Sequence, residues 1–152
     1  MSGLLLRGGR VIDPSQGLDA RRDVLVRDGR IAELRALDAP PLADPDIDVR
    51  DVSGAIVTPG LVDLHGHWYE GSAYGIDPAV SLRSGVTTAV DAGTAGFVNF
   101  ASFRRQTIDP APLRVVAFVN IAALGVATTL SGELDTPAHI RPIETAETIR
   151  AN

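Results

Sequence analysis

The hydrophobic pattern of the chain changes character at Thr58-Pro59-Gly60, and that change constrains the fold more than any other feature. Before it, apolar residues come in short runs broken by turn residues. Leu4-Leu5-Leu6 and Val11-Ile12 flank Gly8-Gly9, which reads as a turn between two strands, and Asp13-Pro14 ends the pair. Asp23-Val24-Leu25-Val26-Arg27 and Arg30-Ile31-Ala32-Glu33-Leu34 flank Asp28-Gly29. A type I′ turn needs positive φ at both central residues, so Asp-Gly between two alternating runs is a strong hairpin signal. Residues 38–48, with Pro40, Pro41 and Pro45, make an irregular connection, and residues 49–57 add one or two strands. After the change, strands alternate with helical stretches. Residues 61–65 read as a strand. Residues 77–84 read as a short helix opened by Asp77-Pro78, with Gly85 as its C-cap. Residues 86–91 form a second strand and 97–108 a helix stopped by Asp109-Pro110. Residues 115–121 form a third strand, followed by a loop rich in Gly, Thr and Ser and a helix over 144–151. Such alternation, with near-continuously apolar strands, is the mark of parallel βα units covered on both faces. The expected fold class is α/β, with a β-rich unit over 1–58 and βα units over 59–152.

Bulk properties narrow the functional classes. Of 152 residues, 45% are hydrophobic and 22% charged, which suits a soluble globular chain with a core. The formal net charge of −5 and the absence of a basic stripe exclude nucleic acid as an expected partner. Cysteine is absent, so there is no disulfide framework and no thiolate metal site. Three leucines near the N-terminus are too few for the core of a signal peptide. No apolar run approaches the length of a membrane span. The cytoplasm is the expected location, with no membrane partner.

The chemistry-bearing segment is Pro59-Gly60-Leu61-Val62-Asp63-Leu64-His65-Gly66-His67. Side chains alternate along a strand, so Asp63, His65 and His67 are expected on one face, with Val62 and Leu64 turned toward covering helices. Two imidazoles two residues apart can converge on one ion, and neutral imidazole suits zinc and related divalent metals. Functional groups of a βα barrel gather at the C-terminal ends of its strands, which is where these histidines fall. The alternative is a pair of loop histidines making ordinary hydrogen bonds.

At these residues the chain resembles the amidohydrolase superfamily. The resemblance spans nearly the whole chain, and residues 59–67 are its most specific part. Residues 71–78, 84–96 and 99–100 are similar to the amidohydrolase/deacetylase metallohydrolase branch, often labelled dihydroorotase-like. The resemblance implies an N-terminal part of a small composite β-sandwich, followed by the first βα units of an incomplete TIM barrel. It implies one or two divalent ions, usually zinc, with His65 and His67 as first-strand ligands, and hydrolysis by metal-hydroxide attack. A bridging lysine, two further histidines and a catalytic general-base aspartate come from later strands in the family. All fourteen basic residues here are arginine, so the bridging lysine is not in this chain, and no catalytic residue is assigned within it. The 152 residues alone are therefore expected to be inactive.

Other residues carry weaker expectations. In dihydroorotases an arginine stands at the position of Tyr69 and binds the substrate carboxylate; tyrosine here speaks against a literal dihydroorotase. Tyr69 is a candidate for substrate contact or for the pocket mouth. Asp63 is a candidate for orienting a ligand histidine or for fixing the strand. Asp91, at the end of the second strand, is a candidate for a supporting role at the site or for a turn carboxylate before Gly93. Asn120 is expected to hydrogen-bond in the core, Trp68 to pack under the loop, and His139 to lie on the surface. The expected function is metal-dependent hydrolysis of an amide or ester bond in a small acyl compound such as an N-acyl amino acid. The rivals are a cyclic amide hydrolase of dihydroorotase or hydantoinase type, and a non-catalytic metal-binding or interaction protein. The expected partner is a small molecule, with self-association into a homo-oligomer open.

Overall fold

The computed structural model describes residues 3–126 and 133–152, in two compact units, Met1–Pro59 and Gly60–Asn152. The first unit is built from strands β1 (Gly3–Asp13), β2 (Leu18–Arg27), β3 (Arg30–Arg35), β4 (Ile47–Asp51) and β5 (Ile56–Val57). They form one sheet in the order β3-β2-β1-β4, with β5 also beside β1. The β1–β2 and β2–β3 pairs are antiparallel, whereas β4 and β5 run parallel to β1. The Asp-Gly turn forms as expected: Asp28 has φ 52 and Gly29 φ 71, both positive, and the two strands fold back on each other. Asp13 ends β1 by accepting a hydrogen bond from Ser15 N, and Pro14 opens a single 3-10 turn that leads into β2.

The Gly8-Gly9 pair does not make a turn. Residues 3–13 are one strand whose ladder to β2 slips between Leu6 and Gly9. Gly8 takes φ 81 and donates its N–H to Asp23 Oδ1 at 2.8 Å. A Cβ on Gly9 would lie 2.8 Å from the Val57 side chain. Glycine inside an otherwise apolar run thus marks a bulge and a close approach, a use as common as a turn. Leu5, Val11, Val24 and Leu25 are the buried hydrophobic residues of this sheet.

The second unit contains β6 (Leu61–Gly66), α1 (Pro78–Arg83), β7 (Val86–Asp91), α2 (Phe100–Phe103), β8 (Arg114–Ala117) and α3 (Pro142–Ala151). The three strands form a parallel sheet in the order β6-β7-β8. Parallel neighbours need a crossover, and α1 supplies the one between β6 and β7. Asp77 caps α1 by accepting from Ala79 N, and Gly85, with φ 89, releases the chain into β7. The helix expected over 97–108 is regular only at Phe100–Phe103 and widens into a π turn at Arg104–Ile108. The third strand is shorter than expected, and α3 starts two residues early because Pro142 suits a first helical turn. Of the Gly, Thr and Ser-rich loop after the third strand, residues 127–132 lie outside the described residues.

Two apolar clusters hold this unit: Tyr69, Ala95, Phe100 and Phe103 form one, and Trp68, Ala89 and Leu113 the other. Val62 and Leu64 are not turned toward covering helices. They are exposed, Leu64 at 73%. No helix among the described residues is long and apolar enough to cross a membrane. Phe103, at 0% exposure, fills the centre of its cluster, whereas Val98 is exposed. In urea denaturation, Phe103→Ala is expected to cost about 3–5 kcal/mol and Val98→Ala at most about 0.5 kcal/mol. Equal losses at the two positions would contradict this assignment of the core.

A candidate metal site at the end of the first parallel strand

His65 lies on the last turn of the pleat in β6, and His67 lies just beyond the strand. The ladder between β6 and β7 is irregular here. Asp63 pairs with Ala89 and Gly66 with Asp91, so β6 spends three steps where β7 spends two. The irregularity thus falls in the stretch between Asp63 and Gly66 that contains His65. A bulge re-aims the strand, as bulges commonly do beside functional sites. The rings still converge: their centroids are 5.8 Å apart and the planes stand at 88°. Two imidazoles sharing a tetrahedral ion through nitrogens roughly 2 Å away place their ring centres about 5–6 Å apart, so the pair fits a common divalent ion. Among the described residues no group of three or more His, Asp or Glu side chains could hold an ion, so the donors gathered here are the two imidazoles.

The direction of His67 is set from β7. Its Nδ1 lies 2.7 Å from Thr94 Oγ1, and the Thr94 hydroxyl donates to Asp91 Oδ2 at 2.7 Å. Asp91 Oδ2 also accepts the Trp68 backbone N–H at 2.9 Å. Asp91 Oδ1 accepts Gly93 N–H at 3.0 Å and Thr94 N–H at 2.7 Å. Asp91 and Thr94 are both fully buried. Asp91 is thus the carboxylate of the turn before Gly93, bonds the Trp68 backbone and reaches His67 through Thr94.

Trp68 anchors the same end from below. Its indole is buried, and Nε1–H donates to Ser81 Oγ of α1 at 2.9 Å. The ring folds back over Gly66, where a Cβ would come within 2.4 Å of it. After Trp68 the loop is closed by Ile76 N–H donating to His67 O at 2.9 Å.

The remaining candidates sort clearly. Asp63 accepts from the backbone N–H of His65 at 3.1 Å, so its described bond is to the strand and not to an imidazole. Tyr69 is a correction. It is buried in the core rather than open at a pocket mouth, its ring 5.1 Å from that of Phe103. Asn120 lies beyond β8 and donates to Gly93 O at 2.9 Å, bracing the turn that carries Thr94. His139 is exposed on a 3-10 turn. A groove of about 330 Å³ is lined by Phe100, Arg104, Ile108, Val115 and others; neither histidine belongs to it, so chemistry and not cavity size marks the site.

Two residues beside the pair were not singled out from sequence. Thr94 is local to Asp91, and Asp-x-x-Thr around a glycine is a turn signature, but its tie to His67 is tertiary. Tyr74 places its ring 6.4 Å from that of His67 and is half exposed.

Trp68 is the single tryptophan, so its fluorescence reports this strand end directly. Gly66→Ala is expected to push the indole out and shift its emission to the red, with lower thermal stability. An unchanged spectrum would mean that the strand end is looser than described.

No family model matches the chain. A deacetylase of Brucella anthropi is 42% identical over 112 residues, which covers 71% of this chain and 27% of that protein. The crystal structure of a dihydroorotase superposes with a TM-score of 0.78 at 34% identity, covering 100% of this chain and 40% of that one. An N-acyl-D-glutamate deacylase from Bordetella bronchiseptica, complexed with zinc and a phosphonate inhibitor, gives a TM-score of 0.56 at 27% identity, covering 78% of this chain and 29% of that one. The chain spans about a quarter of the length of the curated deacetylases it matches. Similarity in sequence to deacetylases and dihydroorotases, and in fold to their barrels, assigns the chain to the amidohydrolase superfamily, where it corresponds to the N-terminal portion of a dihydroorotase-like member.

Proposed function

We propose that this chain contributes the first two metal ligands, His65 and His67, of a hydrolase that cleaves an amide or ester bond in a small acyl compound such as an N-acyl amino acid. The observation that carries the proposal is the convergence of the two rings, 5.8 Å apart, at the C-terminal end of a parallel strand. The donor set, two imidazoles and no thiolate, favours zinc or a similar divalent ion. When bound, such an ion supplies a polarised carbonyl and an acidified water.

The chain's own residues do the positioning. The bulge between Asp63 and Gly66 brings the rings together, and the Asp63 carboxylate holds the His65 backbone in that bulge. Asp91 fixes the Trp68 backbone immediately after His67, so the ring of His67 leaves a rigid point. Tyr74, its ring 6.4 Å from that of His67, would offer an acyl group bound at the site an aromatic contact.

Deacetylase and deacylase relatives support an acyl-amino-acid substrate. Cyclic amide hydrolysis is the second reading, favoured by the dihydroorotase superposition. Tyr69 weighs against its dihydroorotase form, since it stands where dihydroorotases carry a substrate-binding arginine. A cytoplasmic location suits the absence of cysteine.

Replacing His65 and His67 together by alanine is expected to abolish hydrolysis and remove at least one equivalent of metal, measured by elemental analysis of the full-length protein. Full metal content in the double variant would refute the ligand assignment. Turnover of dihydroorotate and hydantoins in preference to N-acyl amino acids would select the second reading. Metal retained without hydrolysis of either class would leave a binding protein.

A further inference from the structure

Thr94 Oγ1 sits between two acceptor-capable groups, His67 Nδ1 at 2.7 Å and Asp91 Oδ2 at 2.7 Å, and it has one proton to give. The direction of that proton is decided by Asp91. This carboxylate is fully buried, and its other partners, Trp68 N–H, Gly93 N–H and Thr94 N–H, are all donors that cannot be reversed. Asp91 is thus surrounded by donors and used as an acceptor. The Thr94 hydroxyl completes the set by donating to Oδ2. Its oxygen then has only lone pairs to offer the imidazole, and a contact of 2.7 Å requires a hydrogen on His67 Nδ1.

We infer that Thr94 and Asp91 are a positioning pair that holds His67 in its Nδ1–H tautomer and so keeps Nε2 free as the metal-binding nitrogen. The inference rests on the reading of His67 as a ligand. A neutral imidazole carries one N–H, and the hydrogen bond made by one ring nitrogen selects which nitrogen is left to bind. An unaided histidine divides its time between tautomers and rotates about its side-chain bonds. Here the acceptor itself is immobilised. Thr94 is fully buried, its carbonyl accepts Val126 N–H at 3.0 Å, and a Cβ on Gly125 would lie 2.3 Å from that oxygen. The pair therefore prepays the orientation of one ligand before metal arrives.

The direct test needs no variant. In metal-free protein labelled with 15N-histidine, long-range 15N–1H correlations at about pH 8.5, where an ordinary imidazole is neutral, should show His67 as the Nδ1–H tautomer. The Nε2–H form would overturn the proposal. In zinc titrations of the full-length protein, Thr94→Val is expected to weaken binding by about 10–100-fold, and Thr94→Ser to stay within about threefold of the parent. Wild-type zinc affinity in Thr94→Val, alongside a loss in His67→Ala, would remove the Thr94 link and leave the ligand reading intact. Wild-type affinity in His67→Ala would remove the ligand reading itself.

Discussion

The second unit depends on one buried carboxylate. Asp91 is the last residue of β7, and its two oxygens accept four hydrogen bonds, from the backbones of Trp68, Gly93 and Thr94 and from the Thr94 hydroxyl. Taking a carboxylate out of water costs several kcal/mol, and hydrogen bonds to both oxygens offset that cost here. The four donors come from two separate parts of the chain. Asp91 therefore joins the end of β6 to the turn after β7, where the parallel ladder has already stopped pairing regularly. Strand ends in a parallel sheet diverge unless something ties them, and here the tie is polar.

Around that tie, packing is arranged to remove slack. Trp68 fills the space over Gly66 and reaches Ser81 on α1, so the strand end, the crossover helix and the next strand move as one body. Asn120 donates to Gly93 O from the other side of the same turn. The histidine pair sits on this assembly. His67 is half-buried and His65 exposed, an arrangement that leaves the outer side of the pair open while its base is fixed. Such a division suits a site that must admit a ligand without letting its own groups drift.

Much of this was legible in the sequence where the signal is local. Asp28-Gly29 specified its hairpin because two positive φ values in succession admit few other residues. Pro59-Gly60 and the apolar run after it marked the first parallel strand, and Asp77-Pro78 marked a helix start. The Gly8-Gly9 pair misled, since a bulge and a turn demand the same backbone freedom, and only the partner strand decides between them. The two histidines stood out in the sequence, whereas the slip of the ladder between Asp63 and Gly66 and the contact of Thr94 with His67 Nδ1 did not. Tyr69 lies past the end of β6, where strand parity no longer governs, and packs in the core against Phe103. Thr94 carried no signal of its own, because its partner lies 27 residues away.

The position of the buried polar groups carries a final argument. Among the described residues, four polar side chains of the second unit are buried: Asp91, Thr94, Thr107 and Thr145. Thr145 donates to a backbone carbonyl, a role that costs little and that serine would share. Asp91 and Thr94 bond to each other and onward to His67. Closing the turn before Gly93 would not by itself require a carboxylate, since a neutral asparagine accepts the same backbone N–H groups without the desolvation cost of an acid. With its oxygen on the turn, however, an amide would set its NH2 against the Trp68 N–H and the Thr94 hydroxyl, which both donate to Oδ2. A carboxylate offers acceptors only, so the hydroxyl must point to it and its lone pairs must face the imidazole. The costlier residue is thus accounted for by the Trp68 N–H it accepts and by what it imposes, through Thr94, on a ring at the end of β6. In proteins such local departures from the least costly packing gather at functional sites, and in this chain they gather at His67.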